Sequence, residues 1–309
     1  LLVTLAFVRL SRVCDPDSPD ALPSHAVRAV ERRSPRSVTV WAALAGLALA
    51  FAVLVRAAFG LLGVAFVGFL VVRLAAGRGT PWPPEHHARP GRVAVPVIAM
   101  AFCLGLAPWW IRNARVFSTF VPLSTMGGYT LYESNAPNAD GGPNFGKIRF
   151  PEAWHRCMEK LGREDLPARE QAAAELRADR ILRRASLAWI QDHPGRFLAL
   201  MPVKLFRTWN LWPNWRGARA WFYKAVSLAS YGPVLLLALW ALWAFRRRWR
   251  EIGWLVLPAL YVSGLHAVFM GSIRYRLPAM GCLIVLEAGG LERLAAEISL
   301  GREHAKPEI

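Results

Sequence analysis

Five arginines stand where long apolar runs end. Arg56 separates "VTVWAALAGLALAFAVLV" from the apolar stretch 57–72, Arg112 and Arg115 follow the tryptophan pair of "PWWIRNAR", and Arg274 and Arg276 lie in "GSIRYR". A guanidinium presents five donors in a planar fork that matches a phosphate bidentately, so this set suits a lipid-borne phosphate at a membrane surface. Any one of these arginines alone also reads as a headgroup anchor whose stem lies along apolar surface. Close by, "STMGGY" offers the hydroxyls of Ser124 and Thr125 and a glycine pair that lets backbone approach a ligand closely. "YESNAPNADGG" adds Tyr132, Asn135, Asn138 and Asp140, groups suited to sugar hydroxyls and equally to turns.

The elements that carry these residues are set by composition. Of 309 residues 54% are hydrophobic, mean hydropathy is +0.27, and the apolar runs approach or exceed bilayer length, which makes this an integral membrane protein. The formal charge of +17 would point to nucleic acid in a soluble chain. Here the arginines cluster at the ends of apolar runs, where they set topology, so nucleic acid is excluded as a partner. Many of the fourteen tryptophans flank the same runs, among them Trp41, Trp109, Trp110, Trp209, Trp212, Trp215, Trp221, Trp249 and Trp254, as interfacial belts do.

The expected fold is all-α and polytopic, with about six spans plus the tail of a truncated one at the N-terminus. Residues 1–37 are that tail and a cytoplasmic loop, since the apolar start at Leu1 lacks the basic region and cleavage site of a signal peptide. Residues 38–110 hold a hairpin and one span. Arg28, Arg32, Arg33 and Arg36 precede the hairpin and Arg73, Arg78, Arg89 and Arg92 follow it, which places Arg56 at its outer tip. The second arm is short for a crossing, so a tilted or partly re-entrant pair stays open. Residues 111–220 form a large extracytoplasmic region. It carries 17 Lys and Arg against 10 Asp and Glu, but long loops translocate largely regardless of charge. Residues 221–294 give three spans, with "RRRWR" at Arg246 to Arg250 cytoplasmic, and 295–309 a cytoplasmic tail.

The stretch 112–142 is expected to be a loop, too polar for lipid and too glycine-rich for a helix. Residues 167–190 read as an amphipathic helix whose apolar stripe is Ala174, Ala178, Ile181, Ala185 and Ala188, with Arg177, Arg180, Arg183 and Arg184 largely off it. In "RFLALMPVKLFRTWNLWP" the mixture of Phe197, Leu200, Met201, Leu205 and Trp209 with Arg196, Lys204 and Arg207 is that of a helix lying in the interface, kinked at Pro202.

Other candidates carry less. Glu85, His86 and His87, or His155 with Cys157, lack the spacing that puts metal ligands on one face, and no metal site is expected. Glu287 falls inside the last span and His266 near the outer end of the one before; a protonated Glu facing a helix bundle is the simpler account of the former. Cys14, Cys103, Cys157 and Cys282 offer no pair on one side of the membrane.

The segment "PWWIRNARVFSTFVPLSTMGGYTLYESNAPNADGG" resembles the pattern PWxIRNxxVFxxFVPxSTxGGxxLYxxNxPxAxGG of bacterial membrane glycosyltransferases of the family 39 type, the dolichyl-phosphate-mannose-protein mannosyltransferase-like superfamily. "HPGRF" at His193 to Phe197 and "RYRLP" at Arg274 to Pro278 add to the resemblance, which covers 38–294. It implies a polytopic helical enzyme of the cell (inner or plasma) membrane that passes a sugar from a polyprenyl-phosphate donor to a lipid, glycan or protein acceptor at the outer face, by inverting displacement. Arg56, Arg112, Arg115, Arg274 and Arg276 would then meet the donor phosphate or headgroups, and Ser124, Thr125, Tyr132 and Asn135 would be polar loop contacts. That family's catalytic carboxylate sits in the first outer loop after its N-terminal spans. This chain matches the C-terminal half only, so no catalytic base is assigned. No cofactor is implied for this chain, and a divalent metal in a full-length enzyme stays open. The rival readings are a multi-span transporter or permease and a non-catalytic membrane scaffold. Transporters tend to place ionisable groups at mid-membrane, whereas most spans here are free of charge and the polar residues concentrate in one outer region.

Overall fold

A computed structural model of the chain describes residues 2–14, 35–76, 90–143, 148–212 and 221–304. The described residues are helical with no strand. In chain order the helices are α1 (Leu2–Cys14), α2 (Pro35–Val55), α3 (Leu62–Ala76), α4 (Pro90–Phe117), α5 (Gly127–Ser134), α6 (Glu152–Leu161), α7 (Ala168–Asp192), α8 (Pro194–Trp209), α9 (Trp221–Ala244), α10 (Trp249–Val268) and α11 (Leu277–His304). Short 3₁₀ turns at Ala57–Phe59, Arg246–Arg248 and Ile273–Arg276 link neighbours. Four segments among the described residues are long and apolar enough to cross a membrane: Val38–Val55, Val93–Phe117, Trp221–Ala244 and Glu251–Val268, with Ala57–Val72 apolar but shorter. Glu85, His86, His87, Arg28, Arg32, Arg33, Arg78, Arg89 and Trp215 lie outside the described residues.

The chain divides into two compact units. One consists of α1 to α7 without the 139–145 segment. In it α2 packs along α4 and α1 along α2, with Ala50, Val53 and Leu106 buried together. A Cβ on Gly46 would strike the Ile98 carbonyl and come within 2.8 Å of the Ala101 methyl, so the glycine lets the two backbones close up, as small residues do between membrane helices. In the same unit α5 and α6 pack on α7 around Tyr132, Ala136, Ile148 and Leu182. The other unit joins residues 139–145 to α8 to α11, with α9 and α10 both packed on α11 over Ala238, Ala241, Leu283 and Leu286. Trp254 is fully buried, so it does not belong to an interfacial belt.

The helix ends differ from the sequence expectation at α4, at α5 and at α11, the last of which runs on to His304 through residues read as a tail. α4 does not stop at Trp110 but runs seven residues further, because "IRNARVF" contains no helix breaker; it ends where Ser118 adopts a left-handed φ of 52°. The glycine-rich 127–134 stretch is helical as α5, for reasons that lie in α7.

Replacing Gly46 by Leu should wedge α2 from α4 and lower stability by about 1 to 3 kcal/mol. Gly68→Leu, where a Cβ meets nothing within 4 Å, should leave the thermal unfolding of the detergent-solubilised protein unchanged.

Candidate functional site

In the first unit the chain folds back on α4 after Ser118 through three side-chain donors. The Trp109 and Trp110 indoles donate to the carbonyls of Leu123 and Pro122 (3.1 and 2.8 Å), and the buried Asn113 amide donates to Val121 O (3.0 Å). This stitching orders the apolar residues of the turn. It leaves Arg112 and Arg115 exposed on the last turns of α4. Arg112 donates to Asn113 Oδ1 (3.0 Å) and lies 5.1 Å over the Trp109 ring, so its fork is preoriented on an exposed side chain. Arg115 pairs with no carboxylate among the described residues. Arg56 caps the 3₁₀ turn between α2 and α3 in extended backbone and is half-buried.

Two polar groups of "STMGGY" are used by α7. Thr125 donates to Glu175, and the Gly128 N–H donates to Asp179 Oδ1 at 2.5 Å. Asp179 also holds Arg183 through its other oxygen. A Cβ on Gly128 would collide with the Asp179 carbonyl, so the glycine serves helix contact rather than ligand approach. Ser124 Oγ accepts the Met126 N–H (3.1 Å). The Tyr132 hydroxyl donates to Arg149 O (3.0 Å), and burial raises its pKa. Asn135 is buried, donates to Leu131 O and Ser134 Oγ, and its carbonyl accepts the Ser186 hydroxyl (3.0 Å). These four side chains therefore order the fold, and only Ser124 is exposed. The α7 stripe is also rotated from expectation: Ala174 and Ala178 are buried together with Leu182, Ser186 and Trp189, whereas Ile181 and Ala185 are half-buried and Ala188 is exposed. Arg177, Arg180 and Arg184 are exposed. His155 and Cys157 fall on different sides of α6, one exposed and one buried, and among the described residues no three His, Cys, Asp or Glu side chains gather to hold a metal.

The second unit contains a polar knot that sequence reasoning only partly found. Lys204 is 0% exposed; its ammonium donates to Val268 O at the end of α10 (2.9 Å) and lies 5.4 Å over the Phe197 ring. The Nδ1–H of His266 donates to Met270 O (2.8 Å) and its ring stacks on Tyr275 at 4.2 Å. Arg207 pairs with Asp140 (3.3 Å), and the Gly271 N–H donates to Gly141 O (2.9 Å), which ties 139–143 to this knot.

At its edge Arg276 is buried, with 7% exposed. Its guanidinium donates to Asn210 O and lies 3.5 Å over the Tyr231 ring, and desolvation lowers its pKa. Arg274, two residues earlier, is exposed. The Tyr231 side chain is 4% exposed and its hydroxyl has no hydrogen-bond partner among the described residues. Among the described residues Arg276 pairs with no carboxylate. A buried guanidinium that uses one donor on a carbonyl, beside an unsatisfied buried hydroxyl, is a costly arrangement that a bound anion would relieve. The signal for Lys204 was present in its helical phase with Thr208, both turned inward; the signal for Tyr231 was not, since it sits in an otherwise ordinary apolar run.

No protein-family model matches the chain, and no curated protein or solved structure matches it.

Burial pulls the Lys204 amine from its usual 10.5 to about 8. Below that value the amine is protonated in both folded and unfolded chains, and the cost of burying its charge is constant. Between pH 8 and 10.5 the unfolded chain holds the proton the folded one has lost, so stability rises with pH, by roughly 3 kcal/mol across the window. Thermal unfolding as a function of pH should show this rise in the unaltered protein and lose it in Lys204→Met.

Proposed function

We propose that the chain is the C-terminal part of a multi-pass membrane glycosyltransferase that draws its sugar from a polyprenyl-phosphate donor at the extracytoplasmic face. The reading rests on the resemblance of 108–142, 193–197 and 274–278 to family 39 enzymes, and the observation that carries it is the buried Arg276 beside the orphaned Tyr231 hydroxyl. In this reading 57–72 and 277–294 are further crossings beside the four membrane-length helices, and 111–220 is extracytoplasmic.

The chemistry such groups can supply is electrostatic. When an acceptor oxygen bonds to the anomeric carbon, the bond from that carbon to the phosphate oxygen breaks and the electron pair leaves with polyprenyl phosphate. Guanidinium groups aimed at the departing oxygens stabilise the charge as it grows, and each charge-assisted hydrogen bond contributes about 1.5 to 3 kcal/mol. Arg276 has donors to spare in the second unit, with the exposed Arg274 close in sequence; in the first unit Arg112, Arg115 and Arg56 offer the same chemistry. The base that accepts the acceptor's proton is not assigned.

Lysine keeps the charge and loses the planar fork. In membranes in which this protein transfers sugar, Arg276→Lys and Arg112→Lys should each reduce use of the polyprenyl-phosphate donor by roughly tenfold, the effect of about 1.4 kcal/mol, with expression and membrane insertion unchanged. Unaltered donor kinetics in both variants would reduce these arginines to anchors and remove the reading's physical support.

A further inference from the structure

The sequence of α8 reads as a helix lying in the membrane interface. Beyond Arg196, which is exposed in its first turn, its exposed face in the second unit is apolar. Leu198, Val203 and Phe206 are 60, 41 and 64% exposed, and Ala199 and Pro202 lie open beside them. The cation in the middle of the helix, Lys204, points inward with Thr208, while Phe197, Leu200, Leu205 and Trp209 are half-buried. A helix that is apolar outside and carries its lysine inside is built for an apolar surrounding.

Two hydrogen bonds fix how deep it goes. Lys204 Nζ reaches the Val268 carbonyl, and the Trp209 indole donates to Ser263 Oγ (2.9 Å). As α8 advances five residues, from 204 to 209, its partners on α10 retreat five, from 268 to 263, so the two helices run antiparallel in register. Glu251–Val268 is the stretch of α10 long and apolar enough to cross a bilayer. Trp209 therefore lies beside a point five residues inside that span, roughly 7 Å at 1.5 Å per residue, and Phe206 lies between. The chain beyond is held at similar level, since Ser227 of α9 donates to Leu211 O (2.6 Å). Arg207, the other cation on the descending half, is paired with Asp140.

We infer that α8 dips into the bilayer alongside α10, its C-terminal half packed on that helix and its outer face, Val203 and Phe206 above all, covered by lipid acyl chains. The occupant is lipid because α10, the helix on which α8 packs, is itself long and apolar enough to cross a bilayer and leaves Leu260 exposed likewise. The inference does not depend on sugar transfer.

The test is spin-label depth measurement on the whole protein in phosphatidylcholine vesicles, with the native cysteines replaced. Labels at Leu198→Cys, Val203→Cys and Phe206→Cys are read by the ratio of oxygen to water-soluble nickel-chelate accessibility. Leu236→Cys and Leu260→Cys set the scale for acyl-chain contact and report that the unit is folded. The ratio should rise severalfold from 198 through 203 to 206, and at 206 approach the values of the two more deeply placed controls. Equal ratios at the three positions, as in a helix lying flat, would overturn the inference. So would free nickel access at 206, as in an aqueous domain, or exclusion of both reagents there, as under a second protein surface.

Discussion

Wherever this chain leaves a helix against an apolar surface, its carbonyl groups need donors, because lipid supplies none. The structure meets that demand with side chains. Trp109, Trp110 and Asn113 satisfy the carbonyls of the 121–123 turn, Lys204 satisfies Val268, Arg276 satisfies Asn210, and Ser227 satisfies Leu211. The loops after α4 and α8 are ordered by these bonds, and so are the directions in which the neighbouring cations face.

The caps are not chemically equal. An indole or a hydroxyl satisfies a carbonyl without bringing a charge, as it does after α4 and at Leu211. At Val268 and Asn210 the donors are a buried ammonium and a buried guanidinium, each of which costs far more to desolvate than a neutral group. At Lys204 the cost is visible in the depressed pKa. At Arg276 the adjacent Tyr231 hydroxyl has no partner among the described residues, so carbonyl capping alone does not account for the pair. The proposed handling of a polyprenyl phosphate would give both groups an anionic partner.

Much of the architecture was legible in the sequence because it follows from runs of apolar residues. Val38–Val55, the break at Arg56, the spans beginning near 93, 221 and 251, and the long helix over most of 167–190 all follow from that pattern. Less legible were features set by contact. The glycine pair of "STMGGY" suggested loop and ligand, but Gly128 is the small residue that α5 needs against Asp179, an acidic residue 51 positions away. The α7 stripe rotated because the core selected Leu182, Ser186 and Trp189 over Ile181 and Ala188. In α8 composition suggested a helix lying in the interface, but its packing on α10 depends on Val268 and Ser263, residues that no local pattern relates to Lys204 and Trp209. Of the arginines singled out from the sequence, Arg276 differs from the others only through Asn210 and Tyr231, which come from two other elements.

The claim that Arg276 answers a phosphate rather than only a carbonyl is tested most directly by comparing binding of a polyprenyl phosphate and the corresponding neutral polyprenol to the purified protein by native mass spectrometry. The two ligands share the same hydrocarbon and differ in the anion alone. The account predicts that the phosphate is retained at concentrations where the alcohol is not, and that Arg276→Gln, which keeps a neutral donor for Asn210, erases most of that difference. Equal retention of the two lipids by the unaltered protein, or a phosphate preference that survives Arg276→Gln, would contradict it.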